Sequence, residues 1–313
     1  MDADLTLNLI EATVQIDQPI NDEKRMVGTG FLVSVPREGA APEILLITAG
    51  HVFERMPSNE VRIGWRVKGA NGTWQFSPTR IAIRNDKGPL WVQNPKQDVA
   101  VIAVQVPAFY KDKAIPLSWL ADERTFDRYR VSPGDEMMTL GYPHGYSANT
   151  IGFPILRAGR LASYPVGPVS SFPTFLIDLT AIPGNSGGPV FMNEPVAGGK
   201  TVTVVSGILT RQVEVNSQRL ELGLVTHAIF VRQTIEQLYA ARGQASGVSA
   251  GITSSSSSTS PSSAVPPPVI IKPQADKPPV SNPPAKDAAT VTPGRKVAPG
   301  RRVLPQRTQT TNP

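Results

Sequence analysis

One serine lies in a sequence context that could activate it for nucleophilic chemistry. Residues 180–190 read TAIPGNSGGPV and place Ser186 between Asn185 and a Gly-Gly-Pro turn. A serine hydroxyl is a poor nucleophile at neutral pH, so it needs an adjacent base and hydrogen-bond donors for the oxyanion that forms on attack. Glycine lets backbone N–H groups come close to a reacting carbonyl because it has no Cβ. The string alone could also be a polar turn between strands, so its partners must be sought elsewhere.

Two upstream strings supply candidate partners for Ser186. The string ILLITAGHVF carries His51 at the end of an apolar run, and the string DVAVIAVQV begins with Asp98 at the mouth of an alternating strand. A general base must lie within hydrogen-bond reach of the nucleophile, and a carboxylate can then orient the imidazole. Asp86, in the turn string RNDKG, is a rival carboxylate, but Asp98 leads directly into an apolar strand and is preferred. The chain order His, Asp, Ser differs from the orders found in α/β-hydrolases and subtilisins.

The strings TAGHV, DVAVI and GNSGGPV resemble the catalytic blocks of trypsin-like (chymotrypsin-fold) serine proteases, especially the cysteine-free bacterial branch that includes the HtrA-type enzymes. GTGFLV, LGYP and VVSGIL resemble further strands of that family, so that the resemblance covers roughly residues 8–242. It implies a serine endopeptidase that works through an acyl-enzyme. In that enzyme Ser186 attacks, His51 transfers the proton and Asp98 orients His51. The backbone N–H groups of Gly184 and Ser186 would form the oxyanion hole.

The resemblance also implies a primary specificity pocket. Thr180 stands six residues before the serine, where trypsin carries an aspartate that selects Lys or Arg, so cleavage after basic residues is not expected. The pocket walls are expected from two strands, which contribute Ser206, Gly207, Ile208, Thr226 and His227. Small aliphatic side chains are the preferred expectation. If the His227 ring pointed inward, it would instead hydrogen-bond a Glu or Gln side chain.

Short apolar runs separated by Gly and Pro turns predict an all-β fold. The predicted strands are residues 5–16, 61–67, 81–83, 136–140, 175–179, 201–210 and 222–230. A helix is indicated from Ile229 to about Ala241 by apolar residues at helical spacing. Together with the resemblance, these runs predict two six-stranded antiparallel β-barrels, over about residues 8–125 and 126–230. A closing helix over about residues 229–242 would complete a protease domain at residues 1–243.

The composition changes after Gly243. Residues 244–313 contain the runs SSSSSTSPSS and PPPVIIKPQADKPP, which predict a disordered, Ser/Pro-rich basic tail. This tail carries an excess of positive charge equal to the formal net charge of the whole chain, +6. It is interpreted as a solubilising tail, with tethering to an anionic surface or to a proline-reading domain as alternatives. No specific nucleic-acid partner is expected, because the positive charge belongs to the tail and not to the barrels. Two alternative functions are kept: a catalytically silent protease-fold binding module recruited through the tail, and nucleic-acid binding by the tail.

The remaining composition limits the chemistry further. The chain has no cysteine, which excludes disulfides, thiolate zinc sites and a thiol nucleophile. Its three histidines lie far apart in sequence, so no metal or other cofactor is expected, and His144 and His227 are expected to be structural. The N-terminal string MDADLTLNLI lacks a basic region followed by an apolar one, which predicts a cytoplasmic protein without a transmembrane segment. A trimmed N-terminus would instead allow a periplasmic or secreted protein.

Overall fold

The structure is a computed structural model that describes residues 5–21, 24–69, 71–196, 198–216 and 218–247. Residues 248–313, which make up most of the predicted tail, lie outside the described residues. The helices are α1 Leu5–Ala12, α2 Gly50–Arg55, α3 Thr125–Tyr129 and α4 Ala228–Gly247. The strands of the N-terminal half are β1 Thr13–Pro19, β2 Arg25–Arg37, β3 Ala40–Thr48, β4 Glu60–Lys68, β5 Trp74–Ala82, β6 Arg84–Asn85, β7 Gly88–Pro89, β8 Val92–Gln93, β9 Ala100–Ala103 and β10 Ile115–Pro116. Those of the C-terminal half are β11 Glu136–Gly141, β12 Ile155–Arg160, β13 Thr174–Asp178, β14 Pro189–Val196, β15 Lys200–Val215 and β16 Gln218–His227.

The first sheet forms the N-terminal barrel. Its strand order is β5-β4-β1-β2-β3-β9-β8, and β10 pairs with β2 in parallel. The sheet therefore has eight strands rather than the predicted six, because the two-residue segments β8 and β10 extend it. Beside the central strand β2 lies β3, where Leu45, Leu46 and Ile47 are all fully buried. Three consecutive buried residues mean that both faces of the strand are covered, which explains why this part of the sequence is a continuous apolar run.

The second sheet forms the C-terminal barrel. Its order is β12-β11-β14-β15-β16-β13, with antiparallel pairing throughout. An antiparallel bridge between Leu161 and Ile177 joins the two ends of this path and closes the sheet on itself. The fold is therefore the predicted all-β fold of two barrels followed by a C-terminal helix.

A buried arginine joins the two barrels. Arg66 of β4 is only 2% exposed, and its guanidinium donates to the Tyr142 hydroxyl at 2.8 Å and to the Glu11 carbonyl at 2.7 Å. Tyr142 follows β11 of the second barrel, while Glu11 lies in the last turn of α1. Carbonyls at a helix C-terminus lack intrahelical donors, so a cation there is favourable. One side chain thus ties α1 and both barrels together.

The two ends of the domain differ from the sequence prediction. Residues 5–12 form a helix rather than a strand, because Leu9 and Ala12, at helical spacing, are the residues that become buried. The closing helix begins at Ala228 and continues to Gly247, five residues beyond the predicted end. Within the described residues, no helix has the length and apolar character needed to cross a membrane.

Candidate active site

His51 and Asp98 contact each other at two points. His51 is the second residue of α2, which follows β3 closely, and Asp98 comes two residues before β9. Because Thr48 of β3 pairs with Ala100 of β9, these strands bring the two side chains to the same end of the first barrel. Asp98 Oδ2 lies 2.7 Å from His51 Nδ1, and Asp98 Oδ1 accepts the His51 backbone N–H at 2.9 Å. The carboxylate therefore holds both the ring and the backbone of His51.

The carboxyl group of Asp98 is kept ionised by its surroundings. Burial alone raises its pKa. However, the hydrogen bonds from His51 and the charges of His51 and Arg211 outweigh burial and hold the pKa of Asp98 below its ordinary value. An ionised carboxylate beside Nδ1 favours the tautomer with a proton on that nitrogen. Nε2 is then the ring nitrogen that can accept a proton.

Asn94 shapes the loop that presents Asp98. Its Oδ1 accepts the N–H groups of Lys96 and Gln97 at 3.0 and 3.1 Å. Its Nδ2 donates to the Thr234 hydroxyl of α4 at 3.2 Å, so the closing helix braces the loop. No role for Asn94 was predicted, although the turn string NPKQ directly before Asp98 was a visible signal.

The turn that carries Ser186 is hydrogen-bonded to both barrels. The Thr29 N–H of β2 donates to the Ser186 carbonyl at 2.9 Å, and the Gly187 N–H donates to the Leu209 carbonyl of β15 at 2.7 Å. Gly187 has a φ of 87°, and a Cβ there would lie 2.2 Å from the Thr29 carbonyl oxygen. Only glycine fits that position. Ser186 is therefore held where the two barrels meet.

The Ser186 hydroxyl points to a backbone carbonyl. Its Oγ donates to the Thr210 carbonyl at 3.2 Å, and no hydrogen bond joins it to His51 in the part of the chain that the structure describes. His51, Asp98 and Ser186 nevertheless line one cleft of about 410 Å³. The three predicted residues thus lie together, with the contact between His51 and Asp98 formed and a hydrogen bond between Ser186 and His51 not formed.

The backbone N–H groups of Gly184 and of Ser186 itself have no acceptor among the described residues. The Asn185 N–H donates to the Ile182 carbonyl at 2.9 Å, and the Gly187 N–H is used by β15. The Gly184 and Ser186 N–H groups donate to nothing that the structure describes. The N–H groups of Asn185 and Gly187 therefore hold the turn in place, whereas those of Gly184 and Ser186 are free to bind an acceptor.

The peptide groups on both sides of Gly184 have fixed orientations. The Pro183 carbonyl accepts the His144 N–H at 2.6 Å, and the Gly184 carbonyl accepts the Thr29 hydroxyl at 2.7 Å. In a trans peptide the C=O and N–H point in opposite directions, so the Gly184 N–H points away from His144. Gly184 has a φ of 97°, and a Cβ there would lie 2.2 Å from the Tyr142 carbonyl oxygen. The turn therefore requires glycine at this position too.

Thr29 and His144 position the turn in ways that were not predicted. Thr29 is fully buried, and its hydroxyl also accepts the Tyr142 N–H at 3.2 Å. One side chain thus links β2, the segment after β11 and the Ser186 turn. His144 is exposed and contributes its main chain. In the string GTGFLV, the threonine between the two glycines makes this contact.

The overall family of the chain can be assigned from its sequence. A family model for the trypsin-like peptidase domain matches residues 28–218, which is more than half of the chain and includes the His51, Asp98 and Ser186 segments. The chain belongs to the trypsin-like peptidase family. The peptidase is thus a serine protease of β-barrel architecture with protein or peptide substrates. No curated protein matches the sequence.

The cleft of the peptidase is lined by two segments and by charged side chains. Residues 181–183 and residues 210–212 of β15 line it together with Ser186. Further charged side chains line it as well: Arg55, Glu214 and Arg219. Within the described residues, no cluster of three or more His, Asp or Glu side chains could hold a metal ion. The groups that line this cleft are therefore hydroxyl, imidazole, carboxylate, amide and guanidinium groups.

Three predicted pocket residues on β15 lie outside this cleft. Ser206, Gly207 and Ile208 precede the residues that line it, and Ser206 and Ile208 are fully buried within the second barrel. β15 pairs with β14 as far as Ile208, and a β-bulge follows Leu209. A bulge adds a residue to one strand and re-aims its side chains, which shifts the cleft-lining residues further along β15 than the sequence indicated.

Thr226 and His227 are also placed elsewhere. Thr226 is buried, and the His227 ring packs against Phe126 and Phe175, with centroid distances of 4.9 and 4.8 Å. His227 borders a different cavity of about 620 Å³ next to α3. Burial lowers the pKa of His227 to about 4, and its Nε2 has no hydrogen-bond partner among the described residues. The ring does not point towards Ser186, so this structure gives it no contact with a substrate there.

Thr180 and Asp86 likewise do not line the cleft. The Thr180 carbonyl accepts a hydrogen bond from the half-buried Arg157 guanidinium of β12, and the neighbouring Ala181 is the residue that reaches the cleft. Asp86 is exposed in the turn between β6 and β7 and makes no hydrogen bond to His51. Of the two rival carboxylates, Asp98 is therefore the one that contacts His51.

Proposed function

We propose that this peptidase hydrolyses peptide bonds with Ser186 as nucleophile, His51 as general base and acid, and Asp98 as the carboxylate that orients His51. The observation that carries this proposal is the two-point contact between Asp98 and His51 in a cleft that Ser186 shares. With Nδ1 engaged by the carboxylate, Nε2 can accept the proton of a serine hydroxyl.

The reaction proceeds in two halves. The Ser186 Oγ forms a bond to the scissile carbonyl carbon, its proton moves to His51 Nε2, and the C=O electron pair moves onto oxygen. When that pair returns, the C–N bond breaks and His51 gives the proton to the leaving amine. His51 then takes a proton from water as the oxygen of that water bonds to the ester carbon; the bond from that carbon to Ser186 Oγ breaks, the acid product leaves, and His51 returns the proton to Oγ.

The Gly184 and Ser186 N–H groups are the proposed donors to the oxyanion. Their support is the absence of any acceptor for either group among the described residues, together with the fixed orientation of the peptide before Gly184. Donors that are aimed before the reaction stabilise developing charge without reorganisation, and one such donor typically contributes about 100- to 1000-fold to turnover.

The Ser186 hydroxyl must turn before it can react. Its present hydrogen bond to the Thr210 carbonyl is a neutral one, which contributes about 1 kcal/mol, and a new bond to His51 offsets its loss. Rotation about χ1 moves the hydroxyl without moving the backbone of the turn. Catalytic hydrogen bonds often form fully only when substrate is bound, so this arrangement is compatible with the proposed mechanism.

A fluorophosphonate probe tests the proposal directly. The full chain should be labelled on Ser186, as located by mass spectrometry of the digested adduct, and labelling should disappear in Ser186→Ala and in His51→Ala. Ser147→Ala is the matched control, because Ser147 is a partly exposed serine outside the cleft whose hydroxyl donates to the Asn149 carbonyl, and this variant should be labelled normally on Ser186. A folded protein that is not labelled would instead be a protease-fold binding module.

A further inference from the structure

Two unpaired arginines and an unpaired amide donor line the same cleft as Ser186. We propose that this cleft recognises peptides with acidic side chains next to the scissile bond. The proposal rests on the proposed function, since it names the substrate class of that site.

The cleft carries an excess of positive charge. Arg55, Arg211 and Arg219 line it together with Asp98 and Glu214. Both carboxylates have partners: Asp98 is engaged by the imidazole, and Glu214 forms an ion pair with Arg219 at 3.5 Å. Neither Arg55 nor Arg211 forms an ion pair with a carboxylate among the described residues. Two guanidinium groups are thus available to an anionic partner.

Arg211 lies near the atoms proposed to react. It lines the same cleft as Asp98, and its charge helps to lower the pKa of that carboxyl group. It also follows Thr210, whose carbonyl binds the Ser186 hydroxyl. A substrate carboxylate that pairs with Arg211 would therefore belong to a residue close to the scissile bond.

The Gln212 side chain adds a hydrogen-bond donor without an acceptor among the described residues to the same cleft. Its Nε2 is buried and has no acceptor among the described residues. A buried donor without an acceptor is unfavourable, so a substrate oxygen that reaches it gains affinity. Either a carboxylate or a carboxamide oxygen could serve, and the neighbouring arginines favour the carboxylate. Gln212 and Arg211 thus replace His227 as the groups that would recognise an acidic side chain.

The free edge of β15 would align such a peptide. On one edge of the strand, Arg211 pairs with Leu224 and Gln212 pairs with Gly223 of β16. On the other edge, β14 pairs only as far as Ile208, and no described strand continues beside Arg211 and Gln212. An extended peptide can add along such an edge, with its side chains alternating between the two faces. One face would meet Arg211 and the other Gln212.

The first test measures cleavage by the full chain. The probe is a mixture of random peptides, and the residues that flank each cut are read by mass spectrometry. We expect Asp and Glu to exceed Asn and Gln about tenfold at one or more positions beside the cut, as for hydrogen bonds to charged groups. Arg211→Glu should remove this preference and favour Lys. Arg80→Glu is the matched control, because Arg80 lies on β5, away from the cleft, and should leave the preference unchanged.

The second test measures binding and does not depend on hydrolysis. Fluorescent acidic peptides and their Asn/Gln counterparts are titrated into Ser186→Ala protein, at low and at moderate salt. We expect about tenfold tighter binding of the acidic peptides, lost in the Ser186→Ala/Arg211→Glu protein and weakened by salt. Equal binding of both peptide sets would overturn the proposal. Absent hydrolysis with acid-selective binding would instead refute the proposed function and leave the recognition intact.

Discussion

The two barrels differ in whether the side-chain hydrogen bonds of their proposed catalytic residues are already formed. The first barrel presents His51 and Asp98 with both of their mutual hydrogen bonds already formed. The second barrel presents Ser186 in a turn whose main chain is hydrogen-bonded to both barrels, but whose hydroxyl binds the Thr210 carbonyl instead of the imidazole. The hydrogen bonds of the proposed base are thus already formed, whereas the hydrogen bond from the proposed nucleophile to that base is not.

This difference follows from how each part is built. His51 and Asp98 lie beside paired strands of one sheet, so the register of β3 and β9 determines the distance between their side chains. Ser186 reaches the same cleft from a turn that depends on contacts with Thr29 of the first barrel and Leu209 of the second. Pairing within one sheet can fix a side-chain contact directly, while a turn between two barrels fixes the backbone and leaves a short side chain free to rotate.

Removal of the nucleophile should have the largest effect. Ser186→Ala deletes one hydroxyl and leaves the free N–H groups of the turn, so we expect kcat to fall by about 10⁶ while peptide binding changes little. The measurement is single-turnover hydrolysis of a quenched fluorescent peptide, with binding of the same peptide by anisotropy. Thermal unfolding should remain near that of the parent protein. Substantial residual hydrolysis by this variant would show that another group attacks the peptide.

Loss of the Asp98 carboxylate should impair His51, the proposed general base. Asp98→Asn keeps the shape but no longer holds the proton on Nδ1 of His51, and we expect kcat at neutral pH to fall by about 10⁴. Asp86→Asn, in the exposed turn of the rival carboxylate, is the control and should retain full activity. Equal losses in the two variants would contradict the assignment of Asp98.

The same variant has a pH signature in stability. The folded pKa of Asp98 is lowered, so its carboxylate stabilises the fold above the unfolded pKa of about 3.9, and this contribution is lost as pH falls through the folded value. Asp98→Asn should therefore be less stable than the parent at neutral pH, and the two should converge below about pH 4. Urea unfolding at several pH values measures this difference.

The sequence predicted the parts of the cleft that are local in the chain. The strings around His51, Asp98 and Ser186 each contain the residue and the strand or turn that presents it, and the structure brings the three together. The predicted wall residues Ser206, Gly207 and Ile208 do not line the cleft that holds Ser186, and residues 210–212, beyond a register shift after Leu209, line it instead; such a shift leaves no clear mark in composition. Thr29 was missed for a different reason: its partner Gly184 is 155 positions away in sequence.

The Thr29 hydroxyl offers a way to disturb the turn without touching the proposed catalytic groups. Thr29→Val preserves the shape of the side chain but removes its hydrogen bond to the Gly184 carbonyl. The main chain at Gly184 is then held less firmly, so the orientation of its N–H group should be less well fixed. We expect kcat to fall about 10- to 100-fold with KM little changed, a smaller loss than the removal of an oxyanion donor itself. Thr29→Ser should restore most of the activity, because it keeps the donor.

A second measurement separates the orientation of the Gly184 N–H from the stability of the fold in the Thr29 variants. A peptide aldehyde forms an oxyanion-like adduct on a serine, whereas a cleaved product peptide does not. Affinity for the aldehyde should fall in parallel with kcat in Thr29→Val, while affinity for the product peptide stays the same. A loss of both affinities in proportion to a lower unfolding temperature would mean that Thr29 acts only through general stability.

His227 should have the smallest effect on activity, although it belongs to the same barrel as Ser186. Its folded pKa of about 4 lies below the ordinary value of about 6.5, so the unfolded chain binds a proton that the folded protein does not. The parent protein should therefore lose up to about 3 kcal/mol of stability as pH falls from about 6.5 to about 4.

His227→Phe suits the aromatic contacts with Phe126 and Phe175, and it should weaken this loss of stability while leaving peptide cleavage and its residue preference unchanged. His144→Asn is the control, because His144 is exposed and does not line the cavity beside His227, and asparagine tolerates its positive φ. Urea unfolding from pH 4 to 7, with peptide-library cleavage of both variants at neutral pH, gives the two measurements. A changed cleavage preference in His227→Phe would return this residue to the substrate site and contradict the separation of the two cavities.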